Sequence, residues 1–366
     1  MIRLRELTTY LEELAPLAYQ EDYDNSGLLT GTPDMVISQA LISLDCTEPV
    51  LDEAIRLGCN LIISHHPIVF RGLKRFTGNT YVERVITKAI KHDIALYAIH
   101  TNLDNVTGGV NSRIALQLGL QQPAVLAPKA GLLHKLVVFI PKSHAALVQD
   151  AIFAAGAGHI GNYSECSFQV TGSGTFKAGE NTDPFVGTQG ERHQEEEVRL
   201  ETIFPVNHTK QVLKALLEAH PYEEVAYDLY PLQNRFSEVG SGMVGNLPEP
   251  MEETAFLAFL KERLNATVIR HTELCGRPVR RVAVCGGAGG FLLHDAKRAG
   301  ADFFVTADYK YHEFFDADGR IVIADVGHFE SEQFTQDLLL EIIQKKFPNF
   351  AIRLTGVKTN PIKYYV

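Results

Sequence analysis

The chain has 366 residues, of which 45% are hydrophobic and 21% are charged, and its formal net charge is −10. This composition is typical of a folded globular protein and excludes an intrinsically disordered one, and the length is sufficient for two domains. The acidic balance argues against general binding of duplex DNA, which depends on lysine and arginine, although it does not exclude a local basic patch.

The N-terminal segment MIRLRELTTYLEELAPL predicts an amphipathic helix, because charged residues interrupt its apolar positions. It lacks the apolar core of a secretion signal, and no apolar run approaches the ~20 residues that span a bilayer. The five cysteines are scattered and form no CxxC pair. We therefore expect a cytoplasmic protein with reduced thiols, without a disulfide framework, a thiolate zinc site or a membrane segment.

In the first half of the chain, two strands lead into histidines and carboxylates. The helix LDEAIRLG precedes the strand CNLIIS, and Pro67 ends this strand at His65 and His66. The strand IALYAIH is followed by TNLDN, so that this strand end offers His100 and Asp104. Ligands gather at the carboxyl ends of strands in α/β sheets, and neutral imidazole commonly binds transition metals. The alternative is a pair of loop histidines without a chemical role.

The middle of the chain, residues 131–232, has a different character, with 7 Lys and Arg against 13 Asp and Glu. Its pattern predicts the strand HKLVVFIP, the helix SHAALVQDAIFAAG, the strand TGSGTFKAGE with its turn, the strand EVRLETIFP, the helix HTKQVLKALLEAH and the strand AYDLYPL. The order β-α-β-β-α-β is that of a ferredoxin-like module. We predict that this module is inserted into another domain, with junction loops at 127–130 and 233–240.

The second half repeats the layout of the first. The helix FLLHDAKRAG and the strand ADFFVT lead to ADYKYHE, which offers Asp308 and His312. The strand RIVIAD leads to DVGHFESEQF, in which His328 and Glu332 share one face at the start of a helix that runs through FTQDLLLEIIQ. Alternating helices and apolar strands predict mostly parallel sheets, and thus an α/β core domain of two similar halves (1–127 and 240–366) interrupted by an α+β insert.

Five candidate ligands fall at or just beyond strand ends in the two halves, and we predict that they converge: His65, His66, Asp104, His328 and Glu332. Three imidazoles and two carboxylates suit two divalent metal ions such as Zn, Fe or Mn, with one carboxylate bridging them. Taken alone, the His328 and Glu332 pair is a weak signal, since such pairs occur on many solvated helices.

Several further residues have two interpretations each. Asp308 and His312 are candidates for orienting ligands or for acid–base catalysis, or else are a capping aspartate and a surface histidine. His100 is a candidate for fixing Asp104 or contacting substrate. Asp24 in YDNSGLL is either a loop-forming residue or part of the site.

The segment CGGAGG could present backbone N–H groups to an anion at the start of a helix, or simply form a tight turn between a strand and a helix. It has neither the GxGxxG spacing nor the lysine of a P-loop. Cys285, the first residue of this segment, is predicted to be a core thiol, because the sequence places no base beside it.

Six motifs in this order resemble the Nif-three-like family, also called GTP cyclohydrolase I type 2 homologues: YDNSGLL, SHHP, HTNLDNVTGGVN, CGGAGG, TADYKYH and DVGHFESE. The resemblance covers residues 1–127 and 240–366, and the middle segment with HPYEEVAYD resembles the PII-like insert of longer bacterial members. Tyr23 and Ala307 depart from the usual Trp and Gly of the family, and neither is a proposed ligand.

The resemblance implies a dinuclear metal centre with the five ligands named above, and a homohexameric ring of two trimers. It favours a metal-dependent hydrolase acting on a nucleotide or another small phosphorylated or heterocyclic substrate, and the family label suggests opening of the GTP ring. One alternative is a non-enzymatic ring that binds metals or a partner protein. Binding of nucleic acid or nucleotide inside the ring is less favoured, given the acidic charge. For His220, Glu223 and Glu224 in the insert, a role in shaping the trimer edge is favoured over ligand binding.

Overall fold

The computed structural model describes residues 1–365 and divides into two compact units. The core unit comprises Met1–Pro128 together with the chain from Ser237 onward, and the middle unit comprises Lys129–Phe236. The predicted class is confirmed, since the chain is mixed α/β and its middle part has the β-α-β-β-α-β order. Among the described residues, no helix is both long enough and apolar enough to cross a membrane.

The elements before the middle unit are, in chain order, β1 (Ile2–Arg3), α1 (Leu4–Leu14), β2 (Gly27–Thr30), β3 (Val36–Ile37), β4 (Gln39–Ser43), α2 (Glu48–Leu57), β5 (Leu61–Ser64), α3 (Tyr81–Lys91), β6 (Ala95–Ala98), α4 (Thr101–Asp104), α5 (Val110–Gln117) and β7 (Gln121–Ala130). Helix α1 is the predicted amphipathic helix, and it buries Leu4, Leu7 and Leu11. Helix α2 begins after Thr47, whose hydroxyl accepts from the Val50 N–H, and ends at Gly58 with a φ of 73°.

The middle unit contains β8 (Leu133–Pro141), α6 (Ala145–Ala154), β9 (Ser167–Lys177), β10 (Arg192–Pro205), α7 (Thr209–Ala219) and β11 (Tyr227–Leu232). Its four strands form an antiparallel sheet in the order β11-β8-β10-β9. Both helices pack against this sheet, and the shared core includes Val138, Ile152, Phe204 and Leu216.

The remaining elements are β12 (Arg235–Met251), α8 (Glu253–Arg263), β13 (Arg270–His271), β14 (Val279–Ala288), α9 (Leu293–Arg298), β15 (Phe303–Ala307), β16 (Val322–Asp325), α10 (His328–Glu332), α11 (Thr335–Lys346) and β17 (Ala351–Leu354). The predicted helix after DVG is interrupted, because Gln333 and Phe334 form a turn between α10 and α11. The prediction of one continuous helix was therefore wrong, although His328 does begin a helix.

The core unit contains two larger sheets, in the orders β17-β4-β5-β6-β2 and β13-β16-β15-β14-β12-β7. In the first, β17, β4, β5 and β6 are parallel, and in the second β14, β15 and β16 are parallel. The halves exchange strands, since β7 from the first half lies in the second sheet and β17 from the second half lies in the first. One buried apolar cluster joins them and includes Ile63 and Tyr97 with Val305 and Ala324.

The junctions predicted as loops are largely strands. Ala127–Ala130 lies in β7, and β12 begins at Arg235, so that only Gln233 and Asn234 of the second junction lie outside strands. Polar composition suggested loops, but residues 127–130 belong to the edge strand β7, where proline is tolerated, and residues 235–240 begin β12, the strand next to it.

Candidate metal centre

The carboxyl ends of parallel strands bring the predicted residues together. His65 and His66 follow β5, Asp104 ends α4 after β6, and His328 and Glu332 begin and end α10 after β16. Four of them, all but the fully buried His65, line a cavity of about 760 Å³. The sequence pattern therefore located residues that lie in one place.

His65 is fully buried, and its ring is fixed by the backbone. Its Nδ1–H donates to the carbonyl oxygen of Ile99 at 2.8 Å, which leaves Nε2 as an unprotonated acceptor in the neutral ring. Burial lowers the pKa of His65 to about 3. The neutral Nε2 lies 3.6 Å from an Asp104 carboxylate oxygen and 3.9 Å from one of Glu332, so that three electron-rich atoms face each other.

His66 and His328 face the same carboxylate. The Nε2 atoms of both rings lie 3.0 Å from Glu332 Oε2, and they are 3.3 Å from each other. Burial alone would lower the pKa of each ring, but their negative neighbours outweigh it. Hydrogen bonds with Asp45 and Glu332 raise the pKa of His66 to about 9, and Glu332 and Asp308 raise the pKa of His328 to about 11.

The pKa values of the two carboxylates, Asp104 and Glu332, are shifted in opposite directions. Burial and the charge of Glu332 raise the pKa of Asp104 well above its usual value. Burial would also raise the pKa of Glu332. His328 and then His66 outweigh burial through their charges and hydrogen bonds, and they hold the pKa of Glu332 well below its usual range. His66 and His328, the two rings with raised pKa values, therefore lie against the one carboxylate whose pKa is lowered.

Two atoms of the cluster have no hydrogen-bond partner among the described residues: the buried His65 Nε2 and Asp104 Oδ1. A buried acceptor without a donor is costly, and a divalent cation would satisfy both atoms at once. Two groups of three ligands satisfy the spacing for one ion each, namely His65, His66 and His100, and His66, His328 and Glu332, with ligand atoms within 4.8 Å of one another. The donor set therefore fits a metal centre, in which His66 Nε2 can complete either group, since His66 Nδ1 is engaged by Asp45.

His100 is held towards these histidines by Asp24. Its Nδ1–H donates to Asp24 Oδ1 at 2.7 Å, and its ring centroid lies 5.2 Å from that of His65. Asp24 also accepts from Ser26 Oγ at 3.1 Å and from the backbone N–H and hydroxyl of Thr101. Burial would raise the pKa of Asp24, but these donors, led by His100, lower it. Asp24 therefore holds His100 in its position beside the cluster.

The other two candidates lie in different places. Asp308 lines the cavity and accepts from His328 Nδ1–H at 2.7 Å, and this hydrogen bond lowers its pKa. His312 is exposed, and its ring contacts the neighbouring Tyr311 with centroids 5.2 Å apart. Of this pair, the geometry thus joins only Asp308 to the cluster.

The CGGAGG segment forms a close turn behind Glu332. A Cβ at Gly287, where φ is 59°, would lie 2.5 Å from Glu332 Oε1, so glycine is required there. The N–H groups of Gly286 and Gly287 donate to Asn111 Oδ1 at 2.9 Å and Ser331 Oγ at 3.0 Å. These donors are engaged by side chains, which favours the turn over an anion site. Cys285 is buried, as predicted, and burial raises its pKa.

Two contributors to the site were not predicted from the sequence. Asp45 accepts from His66 Nδ1–H at 2.8 Å, and it follows β4, so the strand-end rule that found His65 could have found it. The C-terminal segment also lines the cavity through Asn360, Pro361 and Ile362. No pattern in that segment indicates that it returns to this edge of the sheet.

Comparison with known proteins gives concordant similarities. A family described as Duf34/NIF3 (NGG1p interacting factor 3) matches residues 2–361. A protein of Halalkalibacterium halodurans named GTP cyclohydrolase 1 type 2 homolog is 42% identical over 359 residues, covering 96% of each chain. A protein of the same name from Bacillus subtilis is 41% identical over 366 residues, covering 98% of each chain.

The similarity extends to a solved structure. The crystal structure of a Bacillus cereus protein related to NIF3 has a TM-score of 0.85 and 41% sequence identity, covering 100% of this chain and 99% of that one.

Proposed function

The chain belongs to the Duf34/NIF3 family, and we propose that it binds two divalent metal ions and is a metal-dependent hydrolase of a nucleotide or another small phosphorylated or heterocyclic substrate. The observation that carries the proposal is the buried, unpartnered pair of His65 Nε2 and Asp104 Oδ1, 3.6 Å apart. Two acceptors that face each other in a protein interior are stabilised by a cation between them, and Zn, Fe or Mn suits nitrogen and oxygen donors.

The ligands we propose are the predicted five, His65, His66, Asp104, His328 and Glu332, and His100 lies within ligand spacing of His65 and His66. Bound divalent ions would polarise the substrate and lower the pKa of a coordinated water to near neutrality. The protein contributes orientation, because Ile99 O fixes His65, Asp45 fixes His66 and Asp308 fixes His328. Such hydrogen bonds set the tautomer and direction of each ring.

His100 is the residue we propose for proton transfer. Its Nδ1–H is committed to Asp24, so that Nε2 is the ring atom left to accept a proton, and the ring lines the cavity. If His100 is instead a direct ligand, as its place in the first group of three allows, this role passes to Asp308. The His100→Gln variant separates the two, because only loss of a ligand lowers the metal content.

The cavity supports a substrate of nucleotide size. Its volume of about 760 Å³ falls in the range of small-molecule sites. Phe70 and Phe291 line it and are 49% and 68% exposed, so their rings are available to stack against a planar base. The name of the curated relatives suggests GTP, and we propose it as the first substrate to test.

The test is metal analysis of protein purified without chelators, followed by turnover assays on GTP, other nucleotides and simple phosphoesters. We expect two ions per subunit, and turnover that chelation abolishes and metal restores. Bound metal without turnover on any substrate would favour the non-enzymatic alternative, and retention of single-stranded nucleic acid without turnover would favour the binding alternative. A protein that binds no divalent metal would contradict the whole proposal.

We also propose the homohexamer that the family resemblance implies. Tyr311 and Phe315 support it, because these contacting aromatic side chains are 73% and 69% exposed, as expected for a surface that a second subunit covers. Closed symmetry is the usual arrangement of soluble homo-oligomers. Light scattering should give a mass six times the chain's 40.6 kDa, and a monodisperse monomer or dimer would contradict the ring.

A further inference from the structure

The middle unit has a cavity of its own, of about 390 Å³, at the edge of its sheet. Strand β9, the loop that follows it and the loop before β11 provide most of the lining. Four aromatic residues line it, and three of them contact one another: Phe176, Phe185 and Tyr222, with Phe139 as the fourth. The volume is that of a site for a small molecule.

The three rings are tilted around a common space. The centroid of Tyr222 lies 6.0 Å from that of Phe176, with 60° between the ring planes, and 6.3 Å from that of Phe185, with 50° between them. The first pair meets edge to face and the second is tilted, and all three rings also line the cavity. Several ring faces around one space are the arrangement that binds organic ammonium groups.

A carboxylate lies within this aromatic wall. Glu197 of β10 is only 9% exposed, and its Oε1 accepts from the Tyr222 hydroxyl at 3.1 Å. A Cβ at Gly174 on the neighbouring strand would lie 2.0 Å from Glu197 Oε2. A glycine inside a strand often marks a close approach, and here it makes room for the carboxylate. Glu197 is therefore held in place, although a buried carboxylate with one neutral donor is poorly compensated.

The remaining charges of the cavity are also mainly negative. Glu223 and Glu224 line it with Glu197, whereas Lys177 is the one cation among the described lining residues. Glu223 accepts from the Asp183 backbone N–H at 3.1 Å, which ties the loop after β9 to the loop before β11. The cavity therefore attracts a cation.

The nearby histidine has a structural role that excludes it as a ligand. His220 Nε2–H donates to the Phe139 carbonyl at 3.0 Å, and Nδ1 accepts from the Tyr222 N–H at 3.1 Å. With both ring nitrogens engaged, His220 positions Tyr222 and is not free for a metal ion. The chemistry of this cavity is therefore that of aromatic rings and carboxylates.

We propose that this cavity binds a small organic cation that carries a quaternary or methylated ammonium group, with the cation against the three rings and near Glu197. A neutral apolar ligand of the same shape would leave the Glu197 carboxylate uncompensated. A strongly hydrated metal ion would gain little from the ring faces. The site is separate from the candidate metal centre, and its function does not depend on metal binding there.

The experiment compares choline with its neutral isostere 3,3-dimethylbutan-1-ol, using the full chain. Ligand-observed NMR titrations should show saturable binding of choline and at least about tenfold weaker binding of the isostere, since cation–π attraction and the carboxylate act only on the charged form. Glu197→Gln should weaken choline binding about tenfold and leave the isostere unchanged. Phe185→Leu should weaken choline binding by about two- to tenfold.

The matched control is Phe168→Leu, which changes another exposed phenylalanine of the middle unit that does not line the cavity. It should bind choline like the unchanged protein. Circular dichroism establishes that each variant is folded, and Phe185 is half exposed, so its replacement should not unfold the unit. Equal binding of the two isosteres, no binding of choline, or an equal loss in Phe168→Leu would overturn the proposal.

Discussion

The two halves of the core unit hold their site residues in different ways. In the first half, His65 is fully buried and bound to a backbone carbonyl, and the side chain of His66 is 15% exposed. In the second, the side chain of His328 is 34% exposed and is fixed by Asp308, which is itself half exposed. The first half therefore holds its histidines in a more buried position than the second half does. The proposed ligands should therefore differ in what their loss costs.

The largest effect should come from His66→Ala, because His66 Nε2 can complete either group of three ligands. Its loss also leaves Asp45 and Glu332 without a common partner. We expect almost complete loss of metal. Changing a residue that hydrogen-bonds a ligand lowers metal affinity roughly 10–100-fold, and removing the ligand itself should lower it further. Elemental analysis of the folded variant measures this, and a full metal complement would contradict His66 as a ligand.

His328→Ala should have a smaller effect, because His328 belongs to one group only. We expect about one ion or fewer per subunit, with the remaining ion held by the first half. The matched control is His312→Ala, which removes an exposed histidine from the same half. Unchanged stoichiometry in His328→Ala, or an equal loss in His312→Ala, would remove the two-metal interpretation.

The halves should also differ in the protons that metal binding displaces. His65, with its pKa lowered to about 3, is already neutral at pH 7, whereas His66 and His328, with pKa values of about 9 and 11, are protonated. Only neutral imidazole binds metal, so affinity should rise between pH 6 and 8, by about tenfold per pH unit for each proton released. Calorimetry in two buffers of different ionisation enthalpy counts these protons, and a pH-independent affinity would contradict the prediction.

The carboxylates that hydrogen-bond the histidine ligands allow a second comparison of the two halves. Asp45→Asn and Asp308→Asn should each weaken metal binding by roughly 10–100-fold, because the asparagine supports the wrong ring orientation or tautomer. Asp45 should matter more, since it is less exposed and also accepts from the Thr359 hydroxyl. Competition with a fluorescent chelator measures both affinities. A larger effect for Asp308→Asn would reverse the proposed ranking of the halves.

The smallest effect on the metal centre should come from removing the middle unit. A Cβ at Gly240 would lie 2.2 Å from the Ala127 carbonyl oxygen and 2.7 Å from Pro128 Cα, so a short Gly/Ser linker can join Pro128 to Gly240. We expect a folded core with its metal complement intact, as measured by circular dichroism and elemental analysis. An insoluble or metal-free product would show that the core depends on the middle unit.

Much of the site was predictable because its residues obey a local rule. His65, His66, Asp104, His328 and Glu332 each follow a strand closely, and parallel strands bring their carboxyl ends to one edge. Asp45 obeys the same rule and was overlooked. The alternation of apolar strands and helices likewise predicted the fold class.

What the sequence did not reveal depends on contacts between distant segments. Strand exchange through β7 and β17 follows from pairing with remote partners, and local periodicity carries no information about it. The C-terminal segment is a similar case, since Asn360 reaches the cavity through a hydrogen bond to the buried Glu330. The turn at Gln333 separates α10 from α11, although the sequence pattern there is helical throughout. The boundaries of helices and strands are the features that a sequence predicts least well.

The exchange of β17 has a consequence for how the protein is made. Strand β4 pairs with β5 on one side and with β17 on the other, and β17 follows every other described strand along the chain. The nascent first half therefore carries an unpaired β4 edge throughout most of translation, and such edges invite wrong pairing. His66 and Glu332, 266 residues apart, meet only after nearly the whole chain has emerged. The proposed metal centre can therefore assemble only after Glu332 has been translated, and a truncated chain would present the histidines without the carboxylate that joins the halves.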